Sequence, residues 1–202
     1  MRVMEIKAEV LITPMWKAKQ LRMPADIFVE NFIKVLYALF SEDTVTIVKT
    51  DGTETEFYGH FYKSRRGWTY EVHIMKVDMP EGKDYAGIFV GASSEEERMD
   101  NYNLIAKYPH GTETNQIYYG NTTVSDLGFD EENKRHVIRV RRLFENKSPN
   151  DLVIAEVGLV ADFYTDVTGR FDYLISRCVL PSPFTLPVGR AMYIDYFLYL
   201  HF

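Results

Sequence analysis

The closing run AMYIDYFLYL (191–200) restricts this chain more than any other stretch. A β-strand turns successive side chains to opposite faces. One face therefore takes Met192, Ile194, Tyr196, Leu198 and Leu200, and the other takes Ala191, Tyr193, Asp195, Phe197 and Tyr199. A sheet with one wet face reads apolar-in and polar-out. This strand is apolar or aromatic on both faces, so both need cover, either from a second layer of the same fold or from a neighbouring subunit.

Two more strand-like runs precede it, HVIRVRRLF (136–144) and LVIAEVGLV (152–160). In the first, Ile138, Val140, Arg142 and Phe144 share one face, and Val137, Arg139, Arg141 and Leu143 share the other. The spacers ENKSPND and ADFYTDVTGRFD are rich in turn formers and read as connections. PSPFTLPVG (181–189) holds three prolines, which fix φ and remove backbone donors, so it also reads as a connection, with Gly189 supplying a turn.

Upstream, VMEIKAEVLI (3–12) alternates enough for a strand, and the basic MWKAKQLRMP (15–24) reads as a solvated connector. DIFVENFIKVLYALFSED (26–43) carries the helical period, with Phe28, Phe32, Leu36 and Leu39 on one path and Val29, Ile33, Tyr37 and Phe40 beside it. Asp26 suits the N-cap and Pro24 the approach. So wide a stripe implies a deeply seated helix. TVTIVKTDGTETEFYGHFY (44–62) reads as a hairpin turning at Asp51-Gly52. TYEVHIMKV (69–77) alternates, and IFV (88–90) is a short buried strand closed by Gly91. SSEEERMDNYNLIAKYPHG (93–111) opens like a capping box and predicts one helical turn in a long surface loop. NQIYYGNTTVSDLGFDEENK (115–134) predicts a short strand at IYY followed by a polar excursion. Nine or ten short strands and one helix indicate a mainly β fold. The expected form is an antiparallel, jelly-roll-like β-sandwich with one N-terminal α-helix, a single domain over 1–202 with 1–43 as N-terminal arm and helix.

The length of 202 residues and an apolar share of 46% support a sizeable core. A net charge of −6 argues against a dedicated nucleic-acid binder. The single cysteine, Cys178, rules out an intrachain disulfide and reads as a small buried hydrophobe. The N-terminal residues lack the apolar core of a signal peptide, and no stretch approaches the ~20 apolar residues of a membrane helix, so no membrane partner and a cytoplasmic site of folding are expected.

Motifs for chemistry are sparse. His60, His73, His110, His136 and His201 show no metal-ligand spacing, and neither a nucleophile elbow nor a phosphate-binding loop is present. No catalytic residue, metal or cofactor is expected. Lys134, Arg135, Arg139, Arg141 and Arg142 form the densest basic run. Arg139 and Arg141 share a strand face, suited to phosphate or, more simply, to acids across an interface. Trp16 and Trp68 offer rings for stacking on sugars, which keeps a glycan-binding module open as a second reading.

Taken in order, several pieces resemble small virion proteins of tailed bacteriophages. The helix ENFIKVLYALF and strand TVTIVKTDG come first. IFVG (88–91), RRLFENKS (141–148), EVGL (156–159), LISR (174–177) and PFTLPVG (183–189) follow, before a last alternating strand. The resemblance implies a non-enzymatic structural component of a virus particle, a tail, neck or capsid accessory protein assembled in the host cytoplasm. Its partners would be other virion proteins and further copies of itself. Tyr193, Phe197, Tyr199 and Phe202, with Arg139 and Arg141, are the expected oligomer-interface residues.

Overall fold

The structure, a computed structural model, describes residues 5–25, 28–41, 43–58, 72–165 and 169–201. In chain order the elements are β1 (Glu5–Pro14), β2 (Leu21–Pro24), α1 (Glu30–Ser41), β3 (Thr44–Val48), β4 (Glu54–Tyr58), β5 (Val72–Lys76) and β6 (Gly87–Gly91). Then come β7 (Tyr118–Asp130), β8 (Arg135–Glu145), β9 (Leu152–Thr165), β10 (Gly169–Leu186) and β11 (Ala191–His201). The fold is mainly β, with antiparallel sheets packed together and one helix among the described residues.

The first sheet runs β2-β1-β11-β8-β7 and places the two-faced final strand at its centre. Its inner face carries Val10 and Ile12 from β1, Met192, Ile194 and Tyr196 from β11, and Val140 and Phe144 from β8. The second sheet runs β10-β9-β5, with β6 also paired to β9. The Tyr196 hydroxyl joins the sheets, donating to Ala25 O at 3.1 Å and meeting the Ser176 hydroxyl on β10. Ser176 thus faces the first sheet. Arg177, one residue along and paired with Gly158, faces away.

Between the sheets lies a buried cation. Arg142 projects from the inner face of β8, and its guanidinium donates to Ala86 O (3.2 Å), Ile88 O (3.0 Å), Gly120 O (3.0 Å) and Lys83 O. The Tyr119 ring lies 4.4 Å beneath it. β6 pairs only with β9 among the described strands, so this planar fork serves Ile88 O at the edge of the second sheet, together with Gly120 O at the register shift of β7 and two carbonyls of the loop before β6. Burial pulls the guanidinium down to about 10, still protonated at neutral pH.

Several expectations need correction, among them the 15–24 connector, whose Leu21–Pro24 is strand β2 beside β1. The spacer 161–172 is mostly strand: β9 runs to Thr165 and β10 starts at Gly169, with Phe163 stacked on Phe171 at 4.5 Å. Its turn-forming composition was outweighed by buried Ala161, Phe163 and Phe171. The proline segment also stays in strand as far as Leu186. β10 lies at a sheet edge, and its register shifts between Val179 and Phe184, which is where prolines are tolerated. Gly189 then turns the chain at φ 70°. Residues 93–111 form no helical turn. Ser93 Oγ accepts from Glu95 N, closing a local turn without starting a helix. The polar excursion after IYY is strand β7, an edge strand with its outer face toward solvent, so polar residues suit it.

Helix α1 buries Asn31, Phe32, Val35 and Ala38. Asn31 satisfies both backbone groups of Val48 at the hairpin edge, donating to Val48 O (2.6 Å) and accepting from Val48 N (3.0 Å). The second apolar path differs from expectation: Ile33 is 51% exposed, Tyr37 56% and Phe40 83%. Asp26 lies outside the described residues, and Pro24 ends β2. The β3–β4 hairpin turns at Gly52 (φ 83°), as the Asp-Gly pair predicted. Of the 69–77 run, Val72–Lys76 is strand.

Candidate functional site

The second sheet bears, on the side away from the first, a long loop over residues 92–117. The buried pair Glu156 and Arg177 holds this loop. Arg177 Nε donates to Glu156 Oε2 at 2.7 Å, with both side chains wholly enclosed. Glu156 also accepts from Ile105 N (3.1 Å) and Ala106 N (2.7 Å), and Arg177 donates to Glu95 O, Glu96 O and Asn101 Oδ1. Close approach requires two glycines. A Cβ at Gly158 would lie 2.3 Å from Leu104 Cδ1, and one at Gly91 would lie 2.6 Å from Ala106 O. Thus three short motifs, IFVG, EVGL and LISR, meet at one point of the fold.

RRLFENKS and PFTLPVG meet at another. Asn146, fully buried, donates from Nδ2 to Asn150 O (2.8 Å) and Leu186 O (2.9 Å). Its Oδ1 accepts from the Ser148 amide and hydroxyl, and its carbonyl accepts from Gly189 N at 2.8 Å. These polar residues lock loops to strands. Among the described residues no group of three or more His, Cys, Asp or Glu is arranged to hold a metal ion. Trp16 is half-buried with its ring 5.7 Å from Phe184, and Trp68 lies outside the described residues.

The outer face of the first sheet is different. No other element of the described chain lies over it, so its own side chains are its only cover. Antiparallel register sets Arg141 opposite Asp195, Arg139 opposite Phe197, Val137 opposite Tyr199 and Leu143 opposite Tyr193. Five of the six expected interface residues therefore share one face: Tyr193, Phe197, Tyr199, Arg139 and Arg141. Phe202 lies outside the described residues. Tyr193 and Phe197 are half-buried, and Tyr199 is buried.

Arg141 binds Asp195 through both carboxylate oxygens, Nε–Oδ1 at 2.6 Å and Nη2–Oδ2 at 2.9 Å. Asp195 is fully covered although it sits on the solvent side of a strand. Its hydrogen bond raises the Arg141 guanidinium above its ordinary range. The Tyr199 hydroxyl donates to Glu9 at 2.8 Å, and Arg135 lies over its ring at 4.0 Å. Burial, reinforced by the bond to Glu9, pushes the Tyr199 phenol up to about 12. The acids Asp195 and Glu9 were not among the expected interface residues. Asp195 had a visible signal, as the one acid inside an aromatic strand. Glu9 had none, because only register brings β1 beside β11.

No family model, curated protein or solved structure matches this chain. Among the described residues, no helix is long and apolar enough to cross a membrane.

Proposed function

We propose that this protein is a non-enzymatic structural component of a virus particle, a tail, neck or capsid accessory subunit that acts by self-association and by contact with other virion proteins. The observation that carries the proposal is the outer face of the β2-β1-β11-β8-β7 sheet. Among the described residues no further sheet or helix is packed on it, yet it presents half-buried Tyr193 and Phe197 beside a fixed Arg–Asp pair. Aromatic and arginine side chains on a rigid sheet suit a docking surface.

The motifs behind the resemblance support the same reading. They interlock in space, and their polar members, Arg142, Asn146, Glu156 and Arg177, bond to backbone or to each other. That is the work of a rigid building block.

The test is the solution mass of the purified chain by light scattering over a wide concentration range. A discrete oligomer, or a mass that rises with concentration, is expected, and replacing Phe197 with Asp should lower it. A strict monomer at every concentration removes the self-association reading. A saturable tryptophan-fluorescence change with polysaccharide would favour a glycan-binding module instead.

A further inference from the structure

The charges on the outer face of the first sheet are nearly all matched within the chain. Arg22 has Glu9 at 3.0 Å, Lys7 has Glu5 at 3.1 Å, Arg135 has Asp130 at 3.0 Å, and Arg141 takes both oxygens of Asp195. Arg139 is the exception. Its nearest acid is the same Asp195, at 3.8 Å, and Nη2 makes one long contact of 3.5 Å to the Ser125 hydroxyl. Its Nε is buried without a hydrogen-bond partner, while the side chain as a whole stays 28% exposed. A guanidinium offers five donors, and a buried donor left unmade carries a real cost. Two arginines thus share one buried carboxylate, and the exposed part of the Arg139 side chain is left to meet an acceptor from outside the chain.

The opposite side of the sandwich offers such an acceptor. Glu95 and Glu96 lie in the 92–117 loop, held there because their backbone carbonyls accept from Arg177. Both are exposed, and their carboxylates make no bond or ion pair among the described residues. Close by in sequence, Met99 (60%), Tyr102 (45%) and Ile105 (48%) are exposed on the same loop. One side of the molecule thus offers aromatic side chains and an under-coordinated cation. The other offers apolar side chains and two uncommitted anions. The net charge of −6 also leaves the acids outside the first sheet's outer face in excess.

We infer that copies of this chain stack front to back, the outer face of the first sheet of one copy lying on the 92–117 loop of the next, with Arg139 reaching the Glu95–Glu96 carboxylates. This rests on the self-associating subunit reading above and specifies its partner, a second copy, and its geometry. The contact is head-to-tail, so it propagates into a ring or an open stack and does not end at a two-fold dimer.

The test uses the full chain and two variants, Arg139→Glu at the front and the double change Glu95→Lys with Glu96→Lys at the back. Light scattering and sedimentation velocity give the concentration at which assembly is half complete. Each variant should raise that concentration by at least about tenfold, as for the loss of one partner of an interfacial charge pair. Mixed in equal amounts, the two variants should assemble again, because one copy's intact front meets an intact back and the two reversed charges complement each other. The loop variant touches only exposed side chains and retains the fold. If Arg139→Glu unfolds, Arg139→Gln replaces it. Wild-type assembly that is indifferent to the loop variant overturns the stacking inference and leaves the subunit reading standing. So does a mixture that regains no assembly. A wild-type chain that never self-associates removes the subunit reading itself.

Discussion

Replacing Arg177 with Met gives the most direct test of how this fold is held. Arg177 and Glu156 are both fully buried, 2.7 Å apart, and 21 residues apart in sequence. Met keeps most of the side-chain volume and removes the charge. The Glu156 carboxylate would then lie buried with only Ile105 N and Ala106 N as donors. Breaking a buried ion pair by removing one partner costs about 3–5 kcal/mol, most of it from the charge left behind. Domains of ordinary stability have about 5–15 kcal/mol in total, so the variant should fold but be severely weakened. Glu156→Gln should cost a similar amount, because it leaves the guanidinium uncompensated. The double variant removes both charges and should cost clearly less than the two single changes added together. Urea unfolding of the four proteins, followed by far-UV circular dichroism, supplies the cycle. Hydrogen exchange at the Ile105 and Ala106 amides should speed up in both single variants. A loss below about 1 kcal/mol for Arg177→Met, the level of a surface pair, would refute the reasoning, as would strict additivity in the cycle.

Three further outcomes follow from individual contacts. Gly158→Ala should cost about 1–3 kcal/mol by overpacking, because its Cβ meets Leu104 at 2.3 Å; an unchanged thermal midpoint would mean that the loop yields freely. Arg142→Lys should destabilise by at least about 2 kcal/mol in urea unfolding, because an ammonium lacks the planar fork that now serves four backbone carbonyls; a change within about 0.5 kcal/mol would contradict this. Asp172 is raised above its ordinary range, first by burial, with the Thr50 hydroxyl bond opposing. The folded state therefore keeps this proton to a higher pH than the unfolded chain does. Its contribution to stability falls as pH rises from the unfolded carboxyl value, about 3.9, through the raised folded value. Asp172→Asn should flatten that fall and raise the melting temperature at pH 7, and a lower melting temperature there would contradict the sign.

Much of the fold was legible in the sequence because it is local. Alternation in 136–144 and the apolar run of 152–160 mark strands, the Asp51-Gly52 pair marks a hairpin, and the period of 29–40 marks a helix. Where local signals conflicted with burial, burial prevailed. Asp and Thr in 161–172 suggested a turn, but Phe163 stacked on Phe171 keeps both strands going through it. Prolines in 181–186 suggested a break, but an edge strand with a bulge accommodates them. The helix shows the opposite case. Val29 of its second apolar path is buried, but Ile33, Tyr37 and Phe40 stay exposed, because a period predicts which residues share a face and not whether anything lies against it.

By itself the sequence determined that this chain is mainly β, that its last strand is apolar or aromatic on both faces, and that Arg139 and Arg141 point the same way. Those properties depend on periodicities of two and 3.6 residues, which any reading of neighbours reveals. Only the tertiary structure decided what supplies the cover. It set Asp195 under Arg141 across 54 residues, Glu156 under Ile105 across 51, and the hydroxyl of Tyr199 on Glu9 across 190. Register between distant strands fixes such pairs, and register is a joint property of the whole packed core. A strand shifted by one residue would keep every local pattern and put each of these charges on the wrong face.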